Sequence, residues 1–176
     1  MVQISELLGN KEMIKIFEFF LDNPSEKVSQ TEIKKALKIS KTTLIRWIRQ
    51  LVKSNILNIK KIGTSNIYSL NMQNNIVKQV KILDTLLKLR PLKDIDAEIY
   101  LYGSAARGED LEDSDIDLIF IGKLSRGDVI ETIDKLSKKL GRKISFKIFN
   151  HIEWSQLARK DPSFYQRVEK DKIAIR

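Results

Sequence analysis

Hydrophobic residues in the first seventy positions recur at two different spacings. They first return every three or four residues, which is the spacing of the buried stripe of a helix. Ser29 and Glu32 match a capping box, and Ser40 can cap the helix that follows. Apolar and polar residues then alternate on both sides of Gly63, which predicts a hairpin. The predicted elements are helices at 9–21, from Ser29 and from Ser40 to about Ser54, and strands at Ile56–Lys61 and Asn66–Leu70.

The second half of the chain opens with another helical pattern, between Ile76 and about Leu89. Its apolar stripe is expected to pair with a second copy of the chain or to pack on a neighbouring domain. That stripe consists of Ile76, Val80, Leu83 and Leu87. Strands and helices then mix. One strand is predicted to end at Tyr102, and three more are predicted at Ser114–Ile121, Lys143–Phe149 and Ile173–Ile175. Helices are predicted at Arg126–Leu140, Ile152–Lys160 and Asp161–Lys170.

This pattern predicts an α+β protein of two domains. We expect an N-terminal domain at residues 1–73, a connector helix at 74–92 and a C-terminal domain at 93–176, the last a small mixed sheet with flanking helices. No cysteine is present, which fits a reducing compartment. The segment Met1–Glu6 lacks the pattern of a leader and no apolar run is long enough to span a bilayer, so we expect a soluble, cytoplasmic protein without a membrane partner.

The net charge of +9 is concentrated in the N-terminal half. Residues 1–75 carry 12 basic and 6 acidic side chains, and no acid occurs between Glu32 and Asp84. A basic block of this kind indicates a polyanionic partner or a solvated basic face. The helix from Lys41 places its apolar residues on one side and basic or hydroxyl-bearing residues on the other.

The three helices and the hairpin resemble a winged helix-turn-helix domain, through the segment Ile39–Leu51 and Asn55-Ile56-Leu57. The resemblance implies that the helix from Lys41 enters the major groove of DNA, that the hairpin lies near phosphate, and that the chain forms a homodimer. The residues expected to contact DNA are Lys41, Thr42, Thr43, Arg46, Arg49, Gln50, Lys60 and Lys61. The alternative is a domain of the same fold that only docks a protein or forms a dimer.

Chemistry is concentrated in a second motif, Gly103-Ser104 followed by Asp115 and Asp117. Alternate side chains of a strand point to the same face, so the two aspartates project together. Two adjacent carboxylates favour a cation, and oxygen ligands favour a hard divalent ion such as Mg²⁺ or Mn²⁺. Gly103 lets the backbone approach a ligand closely, and Ser104 adds a hydroxyl and an N–H for phosphate.

From about Ala97 onward, this combination resembles the DNA polymerase beta-like nucleotidyltransferase superfamily, in particular its minimal prokaryotic branch. The resemblance implies that Asp115 and Asp117 are the catalytic, metal-binding residues. It implies that Gly103 and Ser104 hold a nucleoside triphosphate. Arg107 is a candidate for the same nucleotide site, with an ion pair to Glu109, Asp110 or Asp113 as the alternative.

Active members of the superfamily carry a third carboxylate on the strand after the helix, where this chain has Ser145 and then Lys147. Three interpretations follow from this departure. Another acid completes the site, the candidates being Glu98, Glu153 and Asp161; or one Mg²⁺ on the aspartate pair binds nucleotide without efficient chemistry. In the third, the ammonium group of Lys147 lies between the aspartates and replaces the metal.

Two functions are therefore expected at this stage. The first is a DNA-binding protein whose nucleotidyltransferase domain binds nucleotide with Mg²⁺ and transfers a nucleotidyl group to a macromolecular hydroxyl. The second is a winged-helix transcriptional regulator whose nucleotidyltransferase domain is catalytically degenerate. Family resemblance adds a third possibility, the antitoxin of a toxin–antitoxin pair, with a toxin or another protein as partner.

Overall fold

A computed structural model describes residues 9 to 176, which divide between Val77 and Lys78 into two compact units. The segment Met1–Glu6, for which no leader is expected, lies outside the described residues. None of the helices in residues 9–176 combines the length and the apolar character needed to cross a bilayer.

The first unit contains three helices and a three-stranded sheet. Asn10, Ser29 and Ser40 cap the three helices as acceptors of backbone N–H groups, and Ser29 forms the expected capping box with Glu32. The elements are α1 (Lys11–Asp22), β1 (Val28–Ser29), α2 (Gln30–Leu37), α3 (Lys41–Lys53), β2 (Leu57–Ile62) and β3 (Ser65–Leu70). The sheet order is β1-β3-β2 with antiparallel pairing throughout. Only the two-residue strand β1 was not predicted.

The core of the first unit comes from the predicted helical stripes. Phe20 of α1 and Ile33 of α2 are fully buried, as are Ile48 and Leu51 of α3. Burying side chains of this size contributes about 1.5 to 3 kcal/mol each. The sheet adds Tyr68, whose hydroxyl accepts a hydrogen bond of 2.8 Å from the Gln30 side chain.

The second unit is built on a four-stranded sheet of β4 (Glu98–Tyr102), β5 (Ile116–Ile121), β6 (Ile144–Phe149) and β7 (Ile173–Ala174), in the order β6-β5-β4-β7. Strands β5 and β6 are parallel, joined by a helix, whereas β4 is antiparallel to both β5 and β7. The elements are α4 (Asn75–Lys88, which begins at the end of the first unit), a 3-10 helix at Arg90–Asp94, β4 (Glu98–Tyr102), a 3-10 helix at Ala105–Arg107, β5 (Ile116–Ile121), α5 (Arg126–Leu140), β6 (Ile144–Phe149), α6 (His151–Lys160), α7 (Pro162–Asp171) and β7 (Ile173–Ala174).

Hydrophobic residues cover both faces of this sheet. Leu118 and Phe120 of β5 belong to the cluster that includes Val129 of α5. The alternate residues Ile119 and Ile121 belong to the cluster that includes Phe164 of α7. Asp117 lies two residues before Ile119 and therefore projects toward the same face, which carries α6 and α7.

Helix α4 buries a different face from the one expected. Leu83 and Leu87 of the predicted stripe are 49% and 61% exposed, whereas Lys81 and Thr85 are buried. Leu83 and Leu87 therefore do not pack on the sheet of the second unit. The buried face is polar because it meets a carboxylate: Lys81 Nζ lies 3.3 Å from Oδ1 of Asp110, which is itself 2% exposed. Pairing with a second copy through the exposed stripe stays a prediction.

The loop after β4 is fixed to α4 by a close backbone contact at Gly108. This residue has φ +64°, and a Cβ atom on it would lie 2.3 Å from the carbonyl oxygen of Lys78. Lys78 also forms an ion pair of 2.7 Å with Glu109. The loop can therefore approach α4 this closely only with glycine at position 108.

We predict that Gly108→Ala lowers the free energy of unfolding of the second unit by about 2 to 4 kcal/mol. Gly141→Ala is the matched control, because Gly141 has φ +63° with no atom within 4 Å of its added Cβ. The control should lose only about 1 to 2 kcal/mol from left-handed backbone strain. Chemical denaturation of both variants measures the difference, and equal losses would contradict the contact with Lys78.

Candidate active site

The end of β4 turns through Gly103 directly against β5. Tyr102 pairs with Asp117 across the two strands, and Gly103 has φ +78°. A Cβ atom at position 103 would lie 2.8 Å from Asp117 Oδ2. Glycine therefore provides both the left-handed backbone and the space beside the carboxylate.

Asp117 is a half-buried carboxylate in an unfavourable electrostatic environment. Its pKa is raised, first by burial and then by the negative charge of Asp115, while Arg167 and Lys143 act in the opposite direction. The influence of Asp115 on Asp117 requires the two carboxylates to be near each other, as their alternation along the strand predicts. The pair thus carries negative charge that its surroundings only partly offset.

Asp115 is the more exposed carboxylate and has two hydrogen-bond donors. Lys143 Nζ lies 2.6 Å and Ser145 Oγ 2.8 Å from the same oxygen, Oδ2. These contacts lower the pKa of Asp115, with the hydrogen bond from Lys143 as the largest cause. Ser145 pairs with Asp117 in the parallel register, which places it beside both aspartates.

No other acid in the part of the chain that the structure describes completes the site. Among residues 9–176, no group of three or more His, Cys, Asp or Glu side chains could hold a metal ion. Glu98 pairs with Ile121, at the end of β5 away from the aspartates. Glu153 and Asp161 accept backbone N–H groups in the caps of α6 and α7. The interpretation in which one of these three acids supplies the third carboxylate is therefore wrong.

Lys147 does not lie between the aspartates either. Its Nζ sits over the ring of Phe164, 4.1 Å from the centroid. This position is favourable because an ammonium group is attracted to the face of an aromatic ring. The interpretation in which Lys147 replaces the metal is wrong, and the cation in contact with the pair is Lys143.

The remaining donor set fits one hard divalent ion. Carboxylate oxygens of Asp115 and Asp117 are ligands that Mg²⁺ and Mn²⁺ accept, and Mg²⁺ commonly binds through one or two carboxylates together with substrate phosphates. The unbalanced negative charge at Asp117 is consistent with such an ion. A second ion would have no third carboxylate and would lie near the ammonium group of Lys143.

The two other predicted nucleotide residues differ in their surroundings. Ser104 precedes the 3-10 helix at Ala105–Arg107 and makes no side-chain cap. Arg107 is engaged in ion pairs with Glu109, at 2.9 Å, and with Asp171. The alternative of an ion pair for Arg107 thus accounts for its position, with Asp171 as an additional partner from α7.

Sequence reasoning missed two cations of this site, Lys143 and Arg167. Lys143 directly precedes β6, and the parallel register that brings it to Asp115 involves residues 28 positions apart. Arg167 lies on α7 one turn after Phe164, whose ring it contacts at 5.3 Å from the centroid. The one sequence signal for Lys143 was its position two residues before Ser145, on the same side of the strand.

In the first unit, the predicted DNA-contacting residues lie on two elements. Lys41, Thr42, Arg46 and Arg49 are exposed on α3, while Thr43 and Gln50 are half-buried. The Thr43 hydroxyl takes part in the cap with Ser40 Oγ, at 2.8 Å. Lys60 and Lys61 are both exposed, but as consecutive residues of β2 they point to opposite faces of the hairpin.

A family model of the nucleotidyltransferase domain matches residues 78–175, which is more than half of the chain. The chain belongs to this family. The match includes Gly103, both aspartates and Ser145. No curated protein matches the chain.

The chain also has weak likenesses among solved structures. One is a possible transcriptional regulator from Methanosarcina mazei Go1, with 22% identity, 53% of this chain and 85% of the other covered, and a TM-score of 0.37. Another is a candidate nucleotidyltransferase from Sulfolobus solfataricus, with 19% identity, 59% and 90% covered, and a TM-score of 0.31. Values this low carry no argument for function.

We predict that Asp117→Asn raises the Tm of the nucleotidyltransferase domain at pH 7 without added metal, by roughly 1 to 3 °C. A raised carboxyl pKa means that ionised Asp117 is less favourable in the folded than in the unfolded chain. The increase in Tm on Asp117→Asn should therefore become smaller as the pH falls to about 3, where the Asp117 carboxyl group is protonated in both the folded and the unfolded chain.

The measurement is thermal unfolding followed by Trp154 fluorescence in a Trp47→Phe background, since the chain has two tryptophans and Trp47 lies in the first unit. Asp134→Asn, at an exposed acid of α5, controls for the loss of one negative charge. A lower Tm for Asp117→Asn than for this control would contradict the electrostatic description of the pair.

Proposed function

We propose that residues 78–176 bind a nucleoside triphosphate together with one Mg²⁺ or Mn²⁺ ion and transfer a nucleotidyl group slowly to a hydroxyl acceptor. The observation that carries this proposal is the placement of Asp117 against the Gly103 bend with Asp115 beside it, and with no third carboxylate among residues 9–176. Because Gly103 has no side chain, its backbone lies close to the Asp117 carboxylate, where a bound phosphate can meet both.

Different residues of the site bind the metal ion and the triphosphate. Asp115 and Asp117 would hold the ion, which when bound offsets phosphate charge during displacement at the α-phosphorus. Gly103 and Ser104 contact the triphosphate, and Arg167 adds positive charge on the side of Asp117.

In the transfer step, the acceptor oxygen forms a bond to the α-phosphorus while the bond to the bridging oxygen of pyrophosphate breaks. The hydroxyl proton must leave, and a general base at this point typically contributes about 10²- to 10⁴-fold. Ser145 stands where the superfamily has that carboxylate, and a serine hydroxyl is a poor proton acceptor near pH 7. Slow transfer follows, with water or Asp115 receiving the proton.

We predict that a fluorescent ATP analogue binds the wild-type chain only with Mg²⁺ or Mn²⁺, and that Asp117→Asn reduces this affinity by ~10-fold or more.

Incubation with α-³²P-labelled nucleotides, Mg²⁺ and cell extract measures nucleotidyl transfer. Ser145→Asp, which restores a carboxylate beside the pair, should increase the labelling rate by ~10-fold or more.

Asp134→Asn is the matched control for both assays, since it removes a carboxylate from the surface of the same domain. Nucleotide binding that survives both metal chelation and Asp117→Asn would overturn the proposed site. Binding without labelling, even in Ser145→Asp, would leave a nucleotide-binding regulatory domain instead of an enzyme.

We also propose that the first unit is a winged helix-turn-helix domain that binds DNA through α3. Its element order of helix, strand, two helices and a hairpin supports this proposal. The exposed residues of α3 are basic or hydroxyl-bearing, and Lys41, Arg46 and Arg49 border a groove of 420 Å³. Only one of Lys60 and Lys61 can face the same side as α3, because they alternate along β2.

We predict that Arg46→Ala and Arg49→Ala each weaken duplex DNA binding and reduce the slope of log K against log salt by about 1, as expected for one lost phosphate contact. Fluorescence anisotropy of a labelled duplex at several salt concentrations measures both quantities. Lys15→Ala, at an exposed lysine of α1, is the charge-matched control. Equal losses in all three variants would show that only net charge matters, against a role for α3.

A further inference from the structure

We propose that Lys143 is a built-in cation of the candidate active site: it occupies Asp115 in the nucleotide-free chain and contacts the triphosphate when a divalent ion is bound. This inference rests on the proposed nucleotide site and assigns that site a residue that the motif itself lacks. The geometry that carries it is the contact of 2.6 Å between Lys143 Nζ and Asp115 Oδ2.

The position of Lys143 follows from the backbone of the sheet. The Ile116 N–H donates to the Lys143 carbonyl at 2.9 Å, so the two strands are already joined at this point. Arg142, the preceding residue, donates to the Ser114 carbonyl and to Asp110 Oδ2. These contacts fix the backbone on both sides of the ion pair, and Lys143 starts from an anchored position.

The side chain of Lys143, by contrast, is free to move. It is 74% exposed, whereas Asp115 is 36% exposed, so the ion pair faces water. Exposed ion pairs of this kind are weak, and a flexible four-carbon side chain can exchange its partner at little cost. Lys147 differs because its ammonium group is held over the Phe164 ring.

Charge decides what Lys143 does when the site is loaded. Asp115, Asp117 and Lys143 together carry a net charge of −1, which a single divalent ion changes to +1. A bound triphosphate then supplies the nearest excess of negative charge. Lys143 therefore leaves Asp115, which the divalent ion now neutralises, and pairs with the phosphate oxygens. There it supplies the positive charge that a second metal ion would otherwise provide.

This account predicts effects of opposite sign in one variant. Lys143→Met removes the competitor for Asp115, so Mn²⁺ should bind the nucleotide-free chain about two- to fivefold more tightly. The same variant loses a phosphate contact, so the non-cleavable analogue α,β-methylene ATP should bind about two- to fivefold more weakly in Mn²⁺. A purely structural role would move both affinities in the same direction.

The experiment measures Mn²⁺ by the electron paramagnetic resonance of the free ion and the analogue by calorimetry. Lys143→Arg keeps the charge and should retain most of the analogue affinity. Lys139→Met removes an exposed lysine near the end of α5 and should change neither value. Shifts of the same sign in Lys143→Met, or shifts no larger than those in Lys139→Met, would overturn the proposal.

The outcome also separates this inference from the proposed function. If the wild-type chain binds neither Mn²⁺ nor the analogue, the proposed function fails. Mn²⁺ binding that appears only in Lys143→Met would still support Lys143 as the resident cation. If neither the wild-type chain nor Lys143→Met binds Mn²⁺, both the proposed function and the role of Lys143 are overturned.

Discussion

The repulsion between Asp115 and Asp117 is the constraint on which the nucleotidyltransferase domain depends. Strand geometry brings two carboxylates to one face, and burial of Asp117 makes its charge more costly. The chain offsets that charge only in part, through Lys143 and Ser145 on Asp115 and through Arg167 near Asp117. Because part of this negative charge is not offset, the arrangement favours the binding of a cation.

The surrounding fold fixes the two aspartates and leaves the cations less constrained. Gly103 packs against Asp117, and Arg142 fixes the loop before Asp115 through the Ser114 carbonyl and Asp110. Asp110 in turn meets Lys81 of α4 in the interior. The carboxylates therefore lie on a braced backbone, whereas Lys143 extends from it into water. This difference suits a site whose ligands stay in place while its resident cation changes partner.

Much of this arrangement could be predicted from the sequence because it depends on local pattern. The helices and strands follow hydrophobic spacing and caps such as Ser29 and Ser40, and the aspartate pair follows from alternation along one strand. The position of Ser145 beside the pair was also predictable, from the family's order of elements. The contact of Lys143 with Asp115 was not, because a lysine between a helix and a strand has the same local pattern whether it is solvated or paired. The buried face of α4 was misassigned for a related reason: Lys81 is buried only because Asp110, distant in sequence, is there to meet it.

Locating the bound ion would test most directly whether Asp115 and Asp117 hold it. In ¹⁵N-labelled protein, substoichiometric Mn²⁺ with a nucleotide broadens the amide resonances of residues near the ion, because its unpaired electrons speed nuclear relaxation. The account predicts that broadening centres on Gly103, Asp115, Asp117 and Ser145. Broadening centred elsewhere, for example around Glu98 and His151 at the opposite end of the sheet, would contradict it.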